Sequence, residues 1–151
     1  MRSIRNLLLT LTGAILALAV LAPQSSRAEE SRTLTLTKQC NTDDQATVEG
    51  ELPFCTVLAS NFRRLIGAKI RYFGPGFFTA DHPFLDSWVV IESTQGGTAF
   101  GHCLLRGVPE PLGACQFTGG SGSLQGFKAD VTVTTEDGKI WHWNGTRSTH
   151  D

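Results

Sequence analysis

The sequence predicts an all-β domain of antiparallel strands, because strand-like runs dominate it, short turns separate them and helical periodicity is nearly absent. The runs are roughly five to ten residues long, which is the ordinary length of a strand in a globular protein. Such a succession of short strands and turns is typical of an antiparallel sandwich or barrel.

The strands are predicted in order along the chain. Polar and apolar residues alternate in the first run, and β-branched and aromatic residues enrich the later ones. The predicted strands are 33–38, 67–73, 84–93, 98–105, 113–118, 126–135 and 139–146. Turn signals rich in glycine and proline stand between them at 74–76, 94–97, 109–113 and 136–138.

One segment, 56–67, has apolar residues at roughly helical spacing. Ser60 or Asn61 would serve as the N-cap of a helix there. We expect at most one or two helical turns in this segment.

Residues 1–28 have the features of a secretory signal peptide. Arg2 and Arg5 precede the apolar run 7–22, and Ala28 ends a stretch of small residues. We expect cleavage after Ala28, which leaves a single domain of residues 29–151 in the periplasm or outside the cell. The apolar run of about 16 residues is shorter than the roughly 20 that cross a bilayer, so no membrane span is expected in the mature form.

The charge balance makes two classes of partner unfavourable. The chain carries 13 Lys and Arg and 14 Asp and Glu, and the leader holds three of the arginines, so the mature chain has ten against fourteen and a net charge of −4. An acidic chain without a basic cluster is poorly suited to nucleic acid or to an anionic membrane. We expect neither as a partner.

The four cysteines predict two disulfides, since an even number in an oxidising compartment is typical of disulfide frameworks. Three pairings are open. Cys40–Cys55 and Cys103–Cys115 are favoured, because each pair brackets a predicted hairpin. No Cys-x-x-Cys or His-x-x-x-His spacing suggests zinc, and His102 stands alone beside Cys103, so no metal or cofactor is expected.

The glycine-rich stretch 115–127 does not fit a phosphate-binding loop. No Gly-Lys pair stands in the required register, Gln125 occupies a position where the dinucleotide fingerprint needs glycine, and a strand follows where both motifs need a helix. The stretch is predicted to be a hairpin turn, with Gly126 at a bulge or close approach inside a strand. The glycines expected to take positive φ angles are Gly119, Gly120 and Gly122.

The segments "GGSGSLQGF" (119–127), "FLDSWVVIESTQGGTAFGHC" (84–103), "GHC…GACQFTGG" and "WHWNGT" (141–146) occur in an order that resembles the allene oxide cyclase and dirigent-like barrel superfamily. The chain is most similar to its small exported bacterial members of unassigned function. The resemblance covers most of 54–146. It implies a closed, eight-stranded antiparallel barrel with an internal cavity, often assembled into dimers or trimers.

The resemblance also implies two kinds of chemistry. Plant cyclases of the superfamily isomerise an unstable fatty-acid epoxide, and dirigent proteins orient phenoxy radicals, in both cases inside the barrel. No catalytic residue of either branch is carried over to this chain.

The run 84–93 offers candidate catalytic residues by its alternation. Asp86 and Glu92 share a face with Phe84, Trp88 and Val90. If this face lined a cavity, the two carboxyls would have raised pKa values and serve as general acid and base. The alternative, which we favour, turns this face outward, with solvated carboxylates and rings at a subunit contact.

His102 is the third candidate catalytic residue, as a proton-transfer group, although a lone histidine in a strand is more often structural. Trp88, Trp141 and Trp143 are candidate ligand-binding residues. The last two stand two positions apart and would stack on a flat or sugar-like ligand. The alternative places at least one of them in the core.

Three functions remain open at this point. The first is a non-catalytic module that binds a small apolar ligand or a protein partner. The second is a cyclase or isomerase acting on a hydrophobic substrate inside the barrel. The third is a structural envelope protein that associates with itself, which a filled interior and an apolar outer face would favour.

Overall fold

The computed structural model describes residues 31–41, 54–77, 84–107 and 111–149. They form nine β-strands and a single turn of 3-10 helix, Arg63–Leu65. The strands are β1 Arg32–Cys40, β2 Phe54–Ser60, β3 Lys69–Phe73, β4 Gly76–Phe77, β5 Phe84–Ser93, β6 Gly97–Arg106, β7 Gly113–Gly122, β8 Lys128–Thr135 and β9 Ile140–Ser148. The predicted leader and its cleavage site after Ala28 lie outside the described residues.

Eight of the strands form a closed antiparallel barrel, which confirms the predicted fold class. The sheet runs in the order β3-β2-β1-β9-β8-β7-β6-β5, and β3 also pairs with β5. The two-residue strand β4 adds to β5 beside it. Closure leaves no long unpaired strand edge among these eight strands, so their backbone groups are satisfied within the barrel.

The segment with helical spacing, 56–67, divides into the end of a strand and one short helical turn. Residues 54–60 make β2, which places Cys55 and Val57 in the interior and leaves Leu58 half exposed. Pairing with β1 on one side and β3 on the other satisfies the backbone of β2, which a short helix would not do. The helix is limited to the 3-10 turn that follows, where Leu65 is fully buried.

The glycine-rich stretch is a hairpin, but its turn lies later than predicted. β7 continues through Gly119 and Gly120 to Gly122, and residues 123–126 make the turn. Positive φ angles occur at Gly122 and Gly126, whereas Gly119 and Gly120 lack them. Gly120 is required for space: a Cβ there would lie 2.2 Å from the carbonyl oxygen of Leu124, because the turn folds back over the strand.

Alternation along the strands separates the interior from the surface. On β5 the burial alternates over most of the strand, with Leu85, Ser87, Val89 and Ile91 inside. The inward residues of the facing strands, Phe117 on β7 and Ala129, Val131 and Val133 on β8, belong to the same buried cluster. Because these side chains expose at most 3% of their surface, they leave no ligand-sized space along the described walls.

Aromatic rings fill one end of the barrel, where the connections β2–β3, β5–β6 and β7–β8 meet. The ring of Phe62 stacks on that of Phe127 with centroids 5.9 Å apart. The ring of Phe117 meets Phe127 edge-on at 5.9 Å and Trp143 at 5.5 Å. A continuous row of rings therefore extends from this end into the middle of the barrel.

The opposite end carries both disulfides, and we call it the disulfide end. Cys40 and Cys55 stand directly opposite each other on β1 and β2, and Cys103 and Cys115 do so on β6 and β7. Both predicted pairings are present in the structure. Each disulfide links neighbouring strands across one hairpin.

The packing of this row of rings predicts a large loss of stability when one ring is removed. Phe117→Ala should lower the free energy of unfolding by about 3–5 kcal/mol, because it removes a buried ring that contacts two others. Thr118→Ala, at the adjacent exposed position on the same strand, should change it by less than about 1 kcal/mol. Denaturant unfolding of both variants gives the comparison, and equal losses would contradict the packing described here.

Candidate functional site

The candidate acid–base residues lie on the outside of the barrel. Asp86 on β5 and His102 on β6 are diagonal neighbours in the strand register, and the Asp86 carboxylate oxygen lies 2.8 Å from His102 Nε2. Their side chains are 53% and 39% exposed. The hypothesis that Asp86 and Glu92 are inward carboxyls is therefore wrong: this face is turned outward, and its rings at a subunit contact stay a prediction.

Glu92, near the end of β5, has a different partner. Its carboxylate accepts a hydrogen bond of 3.0 Å from Arg71 Nε on β3. An exposed pair of this kind contributes little to stability. The three candidates thus form two separate surface pairs, and the structure does not bring them together as a catalytic group.

Trp88 is the most exposed of the large apolar side chains described, with 70% of its surface accessible. Its ring lies edge-on to His102, with centroids 5.3 Å apart. Its backbone stands opposite Phe73 on β3 and His102 on β6. The indole therefore projects from the middle of a three-strand outer surface.

Three further exposed rings lie on the same three strands. Phe73 is 44% exposed, Phe84 38% and Phe100 51%. We call these four residues, Phe73, Phe84, Trp88 and Phe100, the aromatic face. Single exposed apolar residues are common, whereas several on adjacent strands form an exposed apolar surface, a feature typical of interaction sites.

A groove continues from the aromatic face around the outer wall. It has a volume of about 360 Å³ and is lined mainly by outward side chains of β6 to β9, namely His102, Leu104, Ala114, Gln116, Asp130, Thr132 and Asn144. Gln116 donates a hydrogen bond of 2.9 Å to Asp130 within it. His102 borders both surfaces, because it contacts Trp88 and also lines the groove.

Trp141 and Trp143 are core residues. Their exposures are 0% and 1%, so neither ring can stack on a ligand from solvent. Trp141 Nε1 donates to the carbonyl oxygen of Gly138 at 3.0 Å, which satisfies its polar atom. The alternative that placed at least one of them in the core is the correct one.

A buried lysine, which sequence reasoning did not single out, lies beside these tryptophans. Lys38 on β1 is 2% exposed, and its Nζ lies 2.8 Å from the hydroxyl oxygen of Tyr72. Nζ is also 5.2–5.5 Å from the ring centroids of Tyr72, Trp141 and Trp143. The signal was in the sequence: alternation in "TLTLTK" places Lys38 on the same face as Leu34 and Leu36.

Burial changes the acid–base properties of this pair. Removal from water disfavours the ammonium form and lowers the pKa of Lys38 to about 7. The same loss of solvation disfavours the phenolate and raises the pKa of Tyr72 above its ordinary value. Three aromatic rings around Nζ offset part of the loss of hydration whenever Lys38 is protonated.

Within the described ranges, no group of three or more His, Cys, Asp or Glu side chains is placed to hold a metal ion. No helix in those ranges is long and apolar enough to cross a membrane. Comparisons of the chain with protein-family models, with curated proteins and with solved structures find no match.

The buried lysine predicts an unusual pH dependence of stability. Between about pH 7 and pH 10 the unfolded chain binds a proton on Lys38 that the folded chain does not, so the free energy of unfolding should rise with pH, by about 3–4 kcal/mol over this range. Above about pH 10.5 the rise should end, because Lys38 is then deprotonated in the unfolded chain as well, and stability should fall as Tyr72 ionises in the unfolded chain.

Lys38→Met should remove the rise, because methionine has no proton to lose. Lys139→Met is the matched control, since Lys139 lies exposed in the β8–β9 turn. Denaturant unfolding at a series of pH values measures the effect. A profile for Lys38→Met that parallels those of the wild type and the control would contradict the assignment.

Proposed function

We propose that this protein is a non-catalytic interaction module that docks through its aromatic face, and that its partner is a second copy of the same chain. The observation that carries the proposal is the 70% exposure of Trp88 among three other exposed rings. Tryptophan is enriched among the residues that contribute most to protein–protein binding.

Burying these rings against a partner is favourable by about 25 cal/mol for each Å² of apolar surface removed from water. The rings also lose little conformational freedom on docking, because short antiparallel strands hold their backbones. His102 already restricts the indole of Trp88 from one side. The aromatic face therefore has both the apolar area and the rigidity of a docking surface.

The charges around the aromatic face support a second copy as the partner. Asp86 and Glu92 supply negative charge, and Arg71 and Arg106 supply positive charge on the neighbouring strands. A two-fold interface joins one surface to itself, so a surface that carries both signs can place opposite charges against each other there. The superfamily resemblance of the sequence, with its dimers and trimers, points the same way.

The groove beside His102 supports a second candidate, the binding of a small apolar ligand. Its volume of about 360 Å³ falls within the range of ligand sites, roughly 300–1,000 Å³. In an assembly the same groove would accept a side chain of the partner. The cyclase or isomerase alternative has less support, since Asp86, Glu92 and His102 all face outward.

The expected setting is the periplasm or the extracellular space. Two disulfides in so short a chain fit an oxidising compartment. The basic and apolar leader 1–28 would direct export. An exported module that associates through its surface fits the structural role in the cell envelope that the sequence left open.

The proposal predicts that the mature chain, residues 29–151, is an oligomer and that Trp88→Glu makes it a monomer. A carboxylate in the middle of the aromatic face would have to lose its hydration on docking, which opposes association. Sedimentation velocity over a range of concentrations measures the change. The effect should exceed tenfold in the dissociation constant, which corresponds to about 1.4 kcal/mol.

Leu58→Glu is the matched control, because Leu58 is an exposed apolar residue of β2 outside the aromatic face. This variant should associate as the wild type does. A wild-type protein that stays monomeric at every concentration, or a Trp88→Glu variant that still associates, would contradict the proposal.

A further inference from the structure

The two disulfides have different surroundings. Cys103 and Cys115 are 0% and 2% exposed, and no described cation lies in hydrogen-bonding contact with either sulfur. Cys40 is only partly buried, at the last position of β1, whereas Cys55 is 1% exposed. Lys38 Nζ lies 3.4 Å from Cys55 Sγ and 3.7 Å from Cys40 Sγ.

We propose that Cys40–Cys55 is a redox-active disulfide that exchanges with dithiols, with Lys38 stabilising the sulfur that leaves. Cys103–Cys115 is then the structural disulfide of the barrel. The inference is independent of the proposed docking function, because it concerns the disulfide end and not the aromatic face.

The geometry assigns different roles to the two sulfurs. A thiolate of the incoming dithiol reaches Cys40 Sγ, which is the more exposed of the two. As the new sulfur–sulfur bond forms, the Cys40–Cys55 bond breaks, and its electron pair passes to Cys55 Sγ. The second thiolate of the dithiol then attacks the dithiol's first sulfur in the mixed disulfide. This step closes the dithiol into a disulfide and releases Cys40, which takes a proton from water.

The dithiol ends as a disulfide, and the protein ends with Cys40 as a thiol and Cys55 as a thiolate. Exchange is faster when the leaving thiol has a low pKa. A neighbouring lysine ammonium lowers the pKa of a cysteine thiol by stabilising the thiolate. Lys38 is in place to do this, since its Nζ is closer to Cys55 Sγ than to Cys40 Sγ.

Few other groups of the described ranges compete for Lys38. The described groups in contact with Nζ are the Tyr72 hydroxyl from β3, Cys55 from β2, Cys40 of its own strand, and the rings of Trp141 and Trp143 from β9. None of them is a carboxylate. Among the described residues, the thiolate formed at Cys55 is therefore the anion placed to pair with the ammonium, and Lys38 takes up a proton where it was neutral before reduction.

Reduction of the folded mature chain with increasing dithiothreitol tests the proposal. Free thiols are trapped with iodoacetamide, and peptide mass spectrometry assigns the labelled cysteines. We expect label on Cys40 and Cys55 while Cys103 and Cys115 remain paired. In Lys38→Met, reduction of Cys40–Cys55 should be slower by about tenfold, because the leaving thiolate has lost its cation.

Lys139→Met is the control for the loss of one positive charge and should react as the wild type does. Circular dichroism shows whether each variant is folded. If Lys38→Met does not fold, Tyr72→Phe replaces it: this change leaves Lys38 with the sulfurs as its polar contacts, so reduction should be as fast as in the wild type or faster.

Several results would overturn the proposal. One is reduction of Cys103–Cys115 before or together with Cys40–Cys55 in the wild type. Another is a rate for folded Lys38→Met equal to that of Lys139→Met. A third is slower reduction in Tyr72→Phe. None of these results bears on the docking function, because docking depends on Trp88 and is tested by the association state.

Discussion

Pairing of β3 with β5 is the constraint on which the rest of the structure depends. Five consecutive positions pair, from Lys69 with Glu92 to Phe73 with Trp88, and they convert an eight-strand sheet into a closed barrel. Closure gives every strand one inward and one outward face. The same register that places Val89 and Ile91 inside therefore places Trp88 and Asp86 outside.

A filled interior follows from the small cross-section of an eight-stranded barrel. The large inward residues Trp141, Trp143, Phe117 and Phe127 are fully buried against one another and their neighbours. The described interior is thus packed, and the candidate sites lie on the outer wall and at the disulfide end. The described interior also holds two polar residues, Ser87 and Lys38, and Lys38 lies where aromatic rings and two sulfurs surround it.

Much of the fold could be predicted from local pattern. Alternation and turn residues located seven of the eight barrel strands within a few positions, and the spacing of cysteines around hairpins gave the disulfide pairs. β2 could not be identified because Leu58, Phe62 and Leu65 also fit a helical period, and only pairing with β1 and β3 decides between the two. The turn after β7 was misplaced because glycine serves close approach as well as positive φ, and the sequence does not distinguish these uses.

The candidate site was less predictable, because the direction of a face depends on closure. The pattern grouped Asp86 with Trp88 correctly, but nothing local showed which side of the sheet they occupy. His102 joins them only through the register of β5 with β6. Lys38 was visible as a lysine on an apolar face, yet its contact with Cys55 and Tyr72 requires three strands to be in place.

The described part of the barrel has a filled interior, and the barrel is proposed to dock through its outer aromatic face. The most direct test of both points is acrylamide quenching of tryptophan fluorescence across protein concentrations. The chain has three tryptophans, and comparison with Trp88→Phe isolates the emission of Trp88. The account predicts that acrylamide quenches Trp88 strongly in dilute protein and weakly in concentrated protein, and reaches Trp141 and Trp143 in neither. Equal quenching of Trp88 at all concentrations, or ready quenching of the other two, would contradict it.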